Sequence, residues 1–110
     1  MDEILLDTSE MEWEVAEGYP SGTMVKILRD EGEVRTLLMK IPPGFHLDPH
    51  SHTTTEQHFI LEGGYETSGW KFGPGTYHYL PARRLHGPYD SKDGAVVFVI
   101  WECPEPREEG

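Results

Sequence analysis

The chain has 110 residues, of which 36% are hydrophobic, and this length and composition are typical of one soluble globular domain. Its formal net charge is −11 with only nine Lys and Arg residues, which argues against nucleic acids and acidic membrane surfaces as partners. No apolar run approaches the ~20 residues of a membrane span, and the acidic N-terminus and the single cysteine, Cys103, predict a cytoplasmic location.

Short strands are predicted along almost the whole chain, because apolar and polar residues alternate between glycine and proline breaks. In chain order these segments are 11–18, 23–30, 34–41, 45–52, 56–63, a hairpin over 65–72, 76–81, 85–89 and 95–101. A helical segment could lie only within residues 1–10. About nine short strands with 12 glycines and 9 prolines indicate an all-β barrel or sandwich.

The predicted domain organisation is simple. Residues 1–22 form an N-terminal arm and first strand, and residues 23–102 form the β-barrel domain. Residues 103–110 form a flexible tail, because this segment is acidic and rich in proline.

Histidines are concentrated in the middle of the chain, where all six lie between His46 and His86. His50 and His52 are two residues apart, so on a strand they would point to the same side. Glu56 begins the next predicted strand, and its face would meet theirs if the two strands are neighbours. Imidazole and carboxylate are ligands that Fe, Mn, Ni, Cu and Zn share. His86 is the best candidate for a fourth ligand from a distant strand.

The spacing of these residues resembles the two motifs of the cupin superfamily, in particular its small, single-domain, metal-binding members. Gly44, His50, His52, Glu56 and Gly63 match the first motif, G-x5-H-x-H-x3-E-x6-G, at every defined position. The second motif, G-x5-P-x-G-x2-H-x3-N, is matched by the residues Gly75, Pro81 and His86. The resemblance covers residues 34–101. It implies a jelly-roll barrel in which His50, His52, Glu56 and His86 bind one metal ion.

Two positions depart from the second motif. Arg83 stands where the family usually has glycine, and Asp90 stands where it often has asparagine. The turn before His86 must therefore avoid a positive φ angle, or Arg83 must adopt one at some cost in strain.

The remaining candidates are pocket residues. His58 has the parity of Glu56, and we expect it to line the pocket; transfer of a proton and substitution for a ligand are the alternatives. Tyr77, Tyr79, Trp101 and Arg84 are candidate substrate contacts, although aromatic residues in such a domain are mostly core. His46 and His78 are expected to be structural.

The resemblance implies one divalent transition metal per chain, and Fe(II) is favoured over Mn, Ni, Cu or Zn. The first hypothesis is a dioxygenase acting on a small oxygenated substrate of the diketone, enediol or catechol type. The alternatives are a non-catalytic sensor or regulatory domain, like the cupin part of some zinc-binding anti-sigma factors, and a metal-dependent isomerase or lyase acting on a sugar-like acid. We also expect a homodimer, because a small barrel leaves edge strands that a second copy can protect.

Overall fold

The computed structural model describes residues 2–104, and within this range one short 3-10 turn, Thr8–Glu10, precedes ten strands. The strands are β1 (Glu14–Val15), β2 (Met24–Asp30), β3 (Val34–Ile41), β4 (Phe45–Leu47), β5 (Thr55–Gly63), β6 (Tyr65–Thr67), β7 (Trp70–Phe72), β8 (Tyr77–Leu80), β9 (Tyr89–Ser91) and β10 (Ala95–Glu102). The predicted all-β fold is confirmed.

The strands form two antiparallel sheets. The larger sheet has six strands in the order β1-β2-β3-β10-β5-β8, and the smaller has four in the order β4-β9-β6-β7. After β3 the chain alternates between the two sheets, except at the β6–β7 hairpin, as in the jelly-roll barrel that the cupin resemblance implies. β10 lies in the middle of the larger sheet, with β3 on one side and β5 on the other.

The hydrophobic core lies between the two sheets and follows from the period-two pattern of the strands. In β10, Ala95, Val97 and Val99 are buried, whereas Val96, Phe98 and Ile100 are only partly covered on the opposite face. The buried apolar cluster comprises Leu37, Met39, Ile41, Phe45, Ile60, Tyr65, Leu80, Tyr89, Ala95, Val97 and Val99. Burial of each large aliphatic side chain stabilises the fold by roughly 1.5–3 kcal/mol.

The last glycine of the first motif, Gly63, ends β5 at a close approach between two segments of backbone. Its φ angle is 67°, and a Cβ atom there would come within 2.1 Å of the carbonyl oxygen of Gly94. Only glycine allows both the conformation and the contact. The start of β10 is thereby held against the end of β5.

Three of the predicted strands are shorter than their segments. The segment 11–18 contributes only β1, because residues before it pass over the outside of the larger sheet, where the Lys26 Nζ atom donates to the Thr8 carbonyl at 2.7 Å. The same ammonium group lies 4.5 Å from the centre of the Trp13 ring. The segment 45–52 stops at Leu47, and the segment 85–89 contributes only its last residue, to β9.

The sequence left open whether the segments 45–52 and 56–63 are neighbours in the sheet. β4 and β5 do not pair, because β4 belongs to the smaller sheet beside β9, and β5 lies between β10 and β8 in the larger one. Of the predicted tail, residues 105–110 lie outside the described residues. Among residues 2–104, no helix has the length and apolar character needed to cross a membrane.

Candidate metal centre

The four side chains of the predicted metal site come together in the structure. One nitrogen or oxygen atom from each of His50, His52, Glu56 and His86 lies within 4.8 Å of the corresponding atoms of the other three. Glu56 is on β5 and is buried, whereas the three histidines lie in the connections outside the regular strands and are partly buried. Two loops and one strand therefore converge on a single point.

Backbone hydrogen bonds hold the two loops together. His50 and His86 form an isolated antiparallel bridge, with the His50 N–H donating to the His86 carbonyl at 2.9 Å and the His86 N–H donating back at 2.8 Å. The Arg83 N–H donates to the His52 carbonyl at 2.6 Å, and Arg83 has a φ angle of 59°. Arg83, which stands at the glycine position of the second motif, therefore adopts the left-handed conformation that non-glycine residues rarely adopt.

The orientation of two imidazole rings is fixed by their Nδ1 atoms. The Nδ1 atom of His50 lies 3.0 Å from the carbonyl oxygen of Asp48, and the Nδ1 atom of His86 lies 3.1 Å from the Tyr89 hydroxyl. Because a carbonyl oxygen only accepts, His50 must carry its hydrogen on Nδ1, which leaves a lone pair on Nε2. Such contacts are typical of histidines that bind a metal through the other nitrogen.

Unpaired buried atoms show that a cation fits these residues. The Nε2 atom of His52 and the Oε2 atom of Glu56 are 2.7 Å apart, yet neither makes a hydrogen bond, and both are inaccessible to solvent. Buried polar atoms normally have a partner, so two that face each other require an explanation. A divalent ion bound by both atoms would satisfy them, since imidazole nitrogen and carboxylate oxygen are ordinary transition-metal ligands.

The electrostatic environment favours the protonation states that metal binding needs. Burial raises the pKa of Glu56, but the hydrogen bond from His58 and the charges of His58 and His52 bring it below its usual value. Burial lowers the pKa of His86 to about 4, against the opposing effect of the Glu56 carboxylate. At neutral pH the site therefore combines a carboxylate with a neutral imidazole.

The cluster lies beside a small cavity between the two sheets. The cavity has a volume of about 40 Å³, which is room for a few water molecules or a small ligand. Its walls are mostly apolar and aromatic, and they are formed by Tyr19, Met39, Ile41, Phe45, Leu47, His50, Glu56, His58, Tyr65, His86, Tyr89, Val97 and Val99. An ion held here would therefore face a confined and largely apolar space.

His58 lines this cavity, as expected from its parity with Glu56. Its Nε2 atom lies 2.9 Å from the Glu56 Oε1 atom, and its Nδ1 atom lies 3.2 Å from the Tyr65 hydroxyl. Tyr65 also contacts His78, whose Nδ1 atom is 3.2 Å from the same hydroxyl. Both nitrogens of His58 have polar neighbours, so in this structure the side chain is a partner of Glu56 and Tyr65, and its role in proton transfer stays a prediction.

The four residues predicted to contact a substrate lie elsewhere. The side chains of Tyr77 and Tyr79 are 56% and 49% exposed, because β8 turns His78 and Leu80 toward the interior and the tyrosines outward. Arg84 is exposed in the turn before His86. Trp101 is half-buried, with its ring 5.0 Å from the Arg35 guanidinium carbon, and it pairs with Glu56 across β10 and β5, close enough for its side chain to help lower the pKa of that carboxyl. Neither Trp101 nor Arg35 is part of the cavity wall.

Sequence reasoning missed Tyr19 and Tyr65 as cavity residues. Tyr65 follows the Gly63-Gly64 pair and alternates with Thr67 toward the interior, so the parity of the predicted hairpin was an available signal. Tyr19 lies between Gly18 and Pro20 in a turn, where no periodicity exists to indicate direction.

His46 points away from the cavity. It is exposed, and its ring contacts Asp90 at 2.6 Å and Asp48 at 2.9 Å. Asp90 is the residue that replaces the asparagine of the second motif. The substitution therefore gives His46 a charged neighbour on the surface and leaves the four clustered residues unaffected.

Similar solved structures all share this fold. An RmlC-like cupin from Ralstonia eutropha JMP134 matches with 22% identity and a TM-score of 0.80, over 94% of this chain and 70% of that one. An acetylacetone dioxygenase from Acinetobacter johnsonii matches with 17% identity and a TM-score of 0.77, over 93% and 75%. The Rhodobacter sphaeroides complex of SigE with the anti-sigma ChrR matches with 22% identity and a TM-score of 0.70, over 87% and 52%.

At these identities the structural matches establish the fold alone, and this chain spans about half of the ChrR complex chain that it matches. A comparison with curated protein sequences gives no significant match. The family model described as the ChrR cupin-like domain, however, matches residues 1–102, which is nearly the whole chain. With the cupin fold and both motifs in place, the chain belongs to the family of ChrR cupin-like domains.

Proposed function

We propose that this chain is a metal-dependent dioxygenase that acts on a small substrate with two neighbouring oxygen atoms, of the diketone, enediol or catechol type. The observation that carries the proposal is the cluster of three imidazoles and one carboxylate within 4.8 Å beside an apolar cavity of about 40 Å³. Four protein ligands leave positions free on a six-coordinate ion, and two substrate oxygens could occupy them.

One Fe(II) ion per chain is the proposed cofactor, and His50, His52, Glu56 and His86 are the proposed ligands. When bound, the ion would supply the redox chemistry that couples a substrate to dioxygen. The reaction balances without a further reductant, because one carbon–carbon bond breaks and both oxygen atoms enter the products. A cytoplasmic location agrees with this proposal, since a reducing compartment preserves Fe(II).

The protein's own residues would confine and orient the reactants. The Asp48 carbonyl and the Tyr89 hydroxyl hold the rings of His50 and His86. Burial raises the pKa of Tyr89, so its hydroxyl keeps its proton and can donate to a ligand oxygen. The apolar walls exclude bulk water, which strengthens polar contacts inside the cavity. The similarity to an acetylacetone dioxygenase supports this class through the fold.

Elemental analysis of untagged protein, purified without chelators, is the first test. We expect about one metal ion per chain in the wild type and none in a His50→Ala, His86→Ala double variant. His46→Ala is the matched control, because it removes an exposed histidine outside the cluster and should keep the ion. Iron-loaded protein should then consume oxygen with 2,4-pentanedione or catechol, and oxygen consumption equal to that of the double variant would contradict the proposal.

The second candidate is a metal-binding sensor or regulatory domain, which the match to a ChrR cupin-like family favours. Tightly bound zinc without turnover of any of these substrates would support it over the dioxygenase. Conversion of a sugar-like acid without oxygen uptake would instead support an isomerase or lyase, which the same ligands could serve.

We also propose that the chain forms a homodimer through the outer face of the larger sheet. Two rows of residues paired across this face contain no Asp or Glu, although the chain has 20 such residues. One row is Lys26, Leu38, Phe98, Phe59 and Tyr77, and the other is Arg29, Thr36, Ile100, Gln57 and Tyr79. Two copies with a net charge of −11 each repel one another least where acidic residues are absent.

The exposed apolar side chains of this face are those that a second copy would cover. Phe59 is 41% exposed and Tyr79 is 49% exposed, and contiguous apolar patches of this kind are typical of interfaces. Light scattering should give the mass of a dimer for the wild type and of a monomer for Phe59→Lys, with Glu66→Lys on the smaller sheet as the control. A wild-type monomer at micromolar concentration would contradict the proposal.

A further inference from the structure

A chain of hydrogen bonds extends from Glu56 to the far side of the cavity, and nothing in the proposed chemistry uses it. It begins at the Glu56 Oε1 atom, passes to His58 at 2.9 Å, to the Tyr65 hydroxyl at 3.2 Å and to His78 at 3.2 Å. The four residues come from β5, β6 and β8, so the chain joins strands of both sheets.

The hydrogen-bond chain contacts only one of the two carboxylate oxygens of Glu56. Oε1 contacts His58, whereas Oε2 faces His52 at 2.7 Å without a hydrogen bond. A carboxylate whose two oxygens have different partners can present only one of them to an ion. Its side chain is 6% exposed, which leaves little room for other rotamers.

Tyr65 is the central residue because a hydroxyl can both donate and accept. Its oxygen lies 3.2 Å from the Nδ1 atom of His58 and 3.2 Å from the Nδ1 atom of His78. Because the Glu56 carboxylate only accepts, neutral His58 carries its hydrogen on Nε2 and its Nδ1 atom accepts from the Tyr65 hydroxyl, which in turn accepts from the Nδ1–H of His78. Tyr65 is 2% exposed, and its edge-on contact with the Tyr89 ring at 5.4 Å fixes its position.

We propose that Tyr65 is a positioning residue that holds Glu56 through His58, so that Glu56 binds the metal through Oε2 alone. This proposal rests on the metal site of the proposed function. Holding Glu56 to one ligand oxygen keeps a coordination position open for substrate. It also orders the carboxylate before the ion arrives, which reduces the entropic cost of binding. Groups that orient metal ligands in this way typically change metal affinity by about 10–100-fold.

Cobalt binding to the full chain tests the proposal, because Co(II) reports its ligand geometry in its visible absorption. Tyr65→Phe keeps the ring and removes only the hydroxyl, and we expect it to bind Co(II) about tenfold more weakly with an altered spectrum. Tyr77→Phe is the matched control, since its hydroxyl donates to Gln57 at 2.7 Å on the outer face. Wild-type affinity and spectrum in Tyr65→Phe would overturn the proposal.

A second variant covers the case in which Tyr65→Phe does not fold. His78 is the last residue of the hydrogen-bond chain and is half-buried. We expect His78→Gln to weaken Co(II) binding by an intermediate factor, about threefold, because Tyr65 and His58 remain. An unchanged Co(II) affinity and spectrum in His78→Gln would then overturn the proposal.

Metal-free protein separates this proposal from the proposed function. The side-chain ¹⁵N resonances of His58 and His78 should both move in Tyr65→Phe, while those of the exposed His46 stay in place. If the wild type binds no metal although these resonances move, the proposed function fails and the hydrogen-bond chain is structural. If neither resonance moves, the hydrogen-bond chain does not form in solution and the positioning role of Tyr65 is excluded.

Discussion

The two faces of β5 differ in almost every respect, although their residues alternate along one strand. Toward the smaller sheet it presents Glu56, His58 and Ile60, which are buried or nearly so, and the two polar residues contact each other, Tyr65 on β6 and His52 in the preceding loop. On the opposite face Phe59 and Leu61 are 41% and 44% exposed. Two polar residues, Glu56 and His58, are thus inside and two large apolar residues, Phe59 and Leu61, outside, which departs from an ordinary half-buried strand.

This arrangement lowers the stability of the fold on both faces of β5, which indicates that each face serves a function. A buried carboxylate with neighbouring imidazoles costs free energy unless something satisfies it, and an ion is the partner that these residues fit. Exposed aromatic side chains likewise gain when a second surface covers them. The two proposals, a metal ion on the inner face and a second copy on the outer face, would each account for one of these features.

The largest expected effect comes from the adjacent residues Ile60 and Leu61, which test the two faces directly. Ile60 is completely buried, so Ile60→Ala should lower the free energy of unfolding by about 2–5 kcal/mol. In dilute monomer, Leu61→Ala should change it by only about 0.5 kcal/mol. Urea denaturation measures both, and equal losses would show that the two faces are covered alike.

Glu56→Gln tests whether the polar inner face serves an ion. The substitution keeps the shape and removes the negative ligand, so we expect metal affinity to fall by at least about 100-fold, more than the loss of an orienting residue causes. The metal-free variant should remain folded. Isothermal titration with Zn(II), beside Gln57→Glu on the outer face as the control, measures the change; retained affinity would remove Glu56 from the ligand set.

Tyr89→Phe gives a smaller effect on the same face. Tyr89 is 5% exposed, and its hydroxyl is 3.1 Å from the His86 Nδ1 atom. Its loss should free the ring of His86 and weaken Zn(II) binding by about tenfold, with little change in melting temperature. Unchanged binding would mean that the backbone bridge between His50 and His86 is sufficient to orient the ring.

The smallest effect is a pH dependence at the surface, outside the cavity. Hydrogen bonds to Asp90 and then to Asp48 raise the pKa of His46 above its ordinary value. Because the folded pKa is the higher one, this contribution to stability is fully present below about pH 6.5 and disappears as the pH rises through the folded pKa. An NMR titration should give a midpoint above 6.5 in the wild type and a lower midpoint in Asp90→Asn, in which only the contact with Asp48 remains.

Much of the fold could be predicted because its signals are local. β2 and β3 lie within the predicted segments and are joined by a turn in which the Gly32 N–H donates to the Asp30 side chain at 3.0 Å. Strand pairing is less accessible from the sequence. Whether the segments 45–52 and 56–63 are neighbours could not be determined there, because neighbours in sequence need not be neighbours in space, and the jelly roll places β4 and β5 in different sheets.

The candidate pocket shows the same limit. Parity correctly placed His58 beside Glu56, since both are on one strand. For Tyr77 and Tyr79, parity could say only that they share a face, and the face of β8 that turns inward carries His78 and Leu80. Which face is inside depends on the strand against which β8 packs, and that information is not local to its four residues.

The sequence by itself determined the strands, the family and the four residues that converge, because motif spacing and side-chain alternation are properties of a short stretch of chain. Only the tertiary structure decided what surrounds them. The link between His50 and His86, the chain from Glu56 through Tyr65 to His78, and the exposed outer face all join segments far apart in sequence. The packing of two twisted sheets sets these distances, and no single segment contains that information.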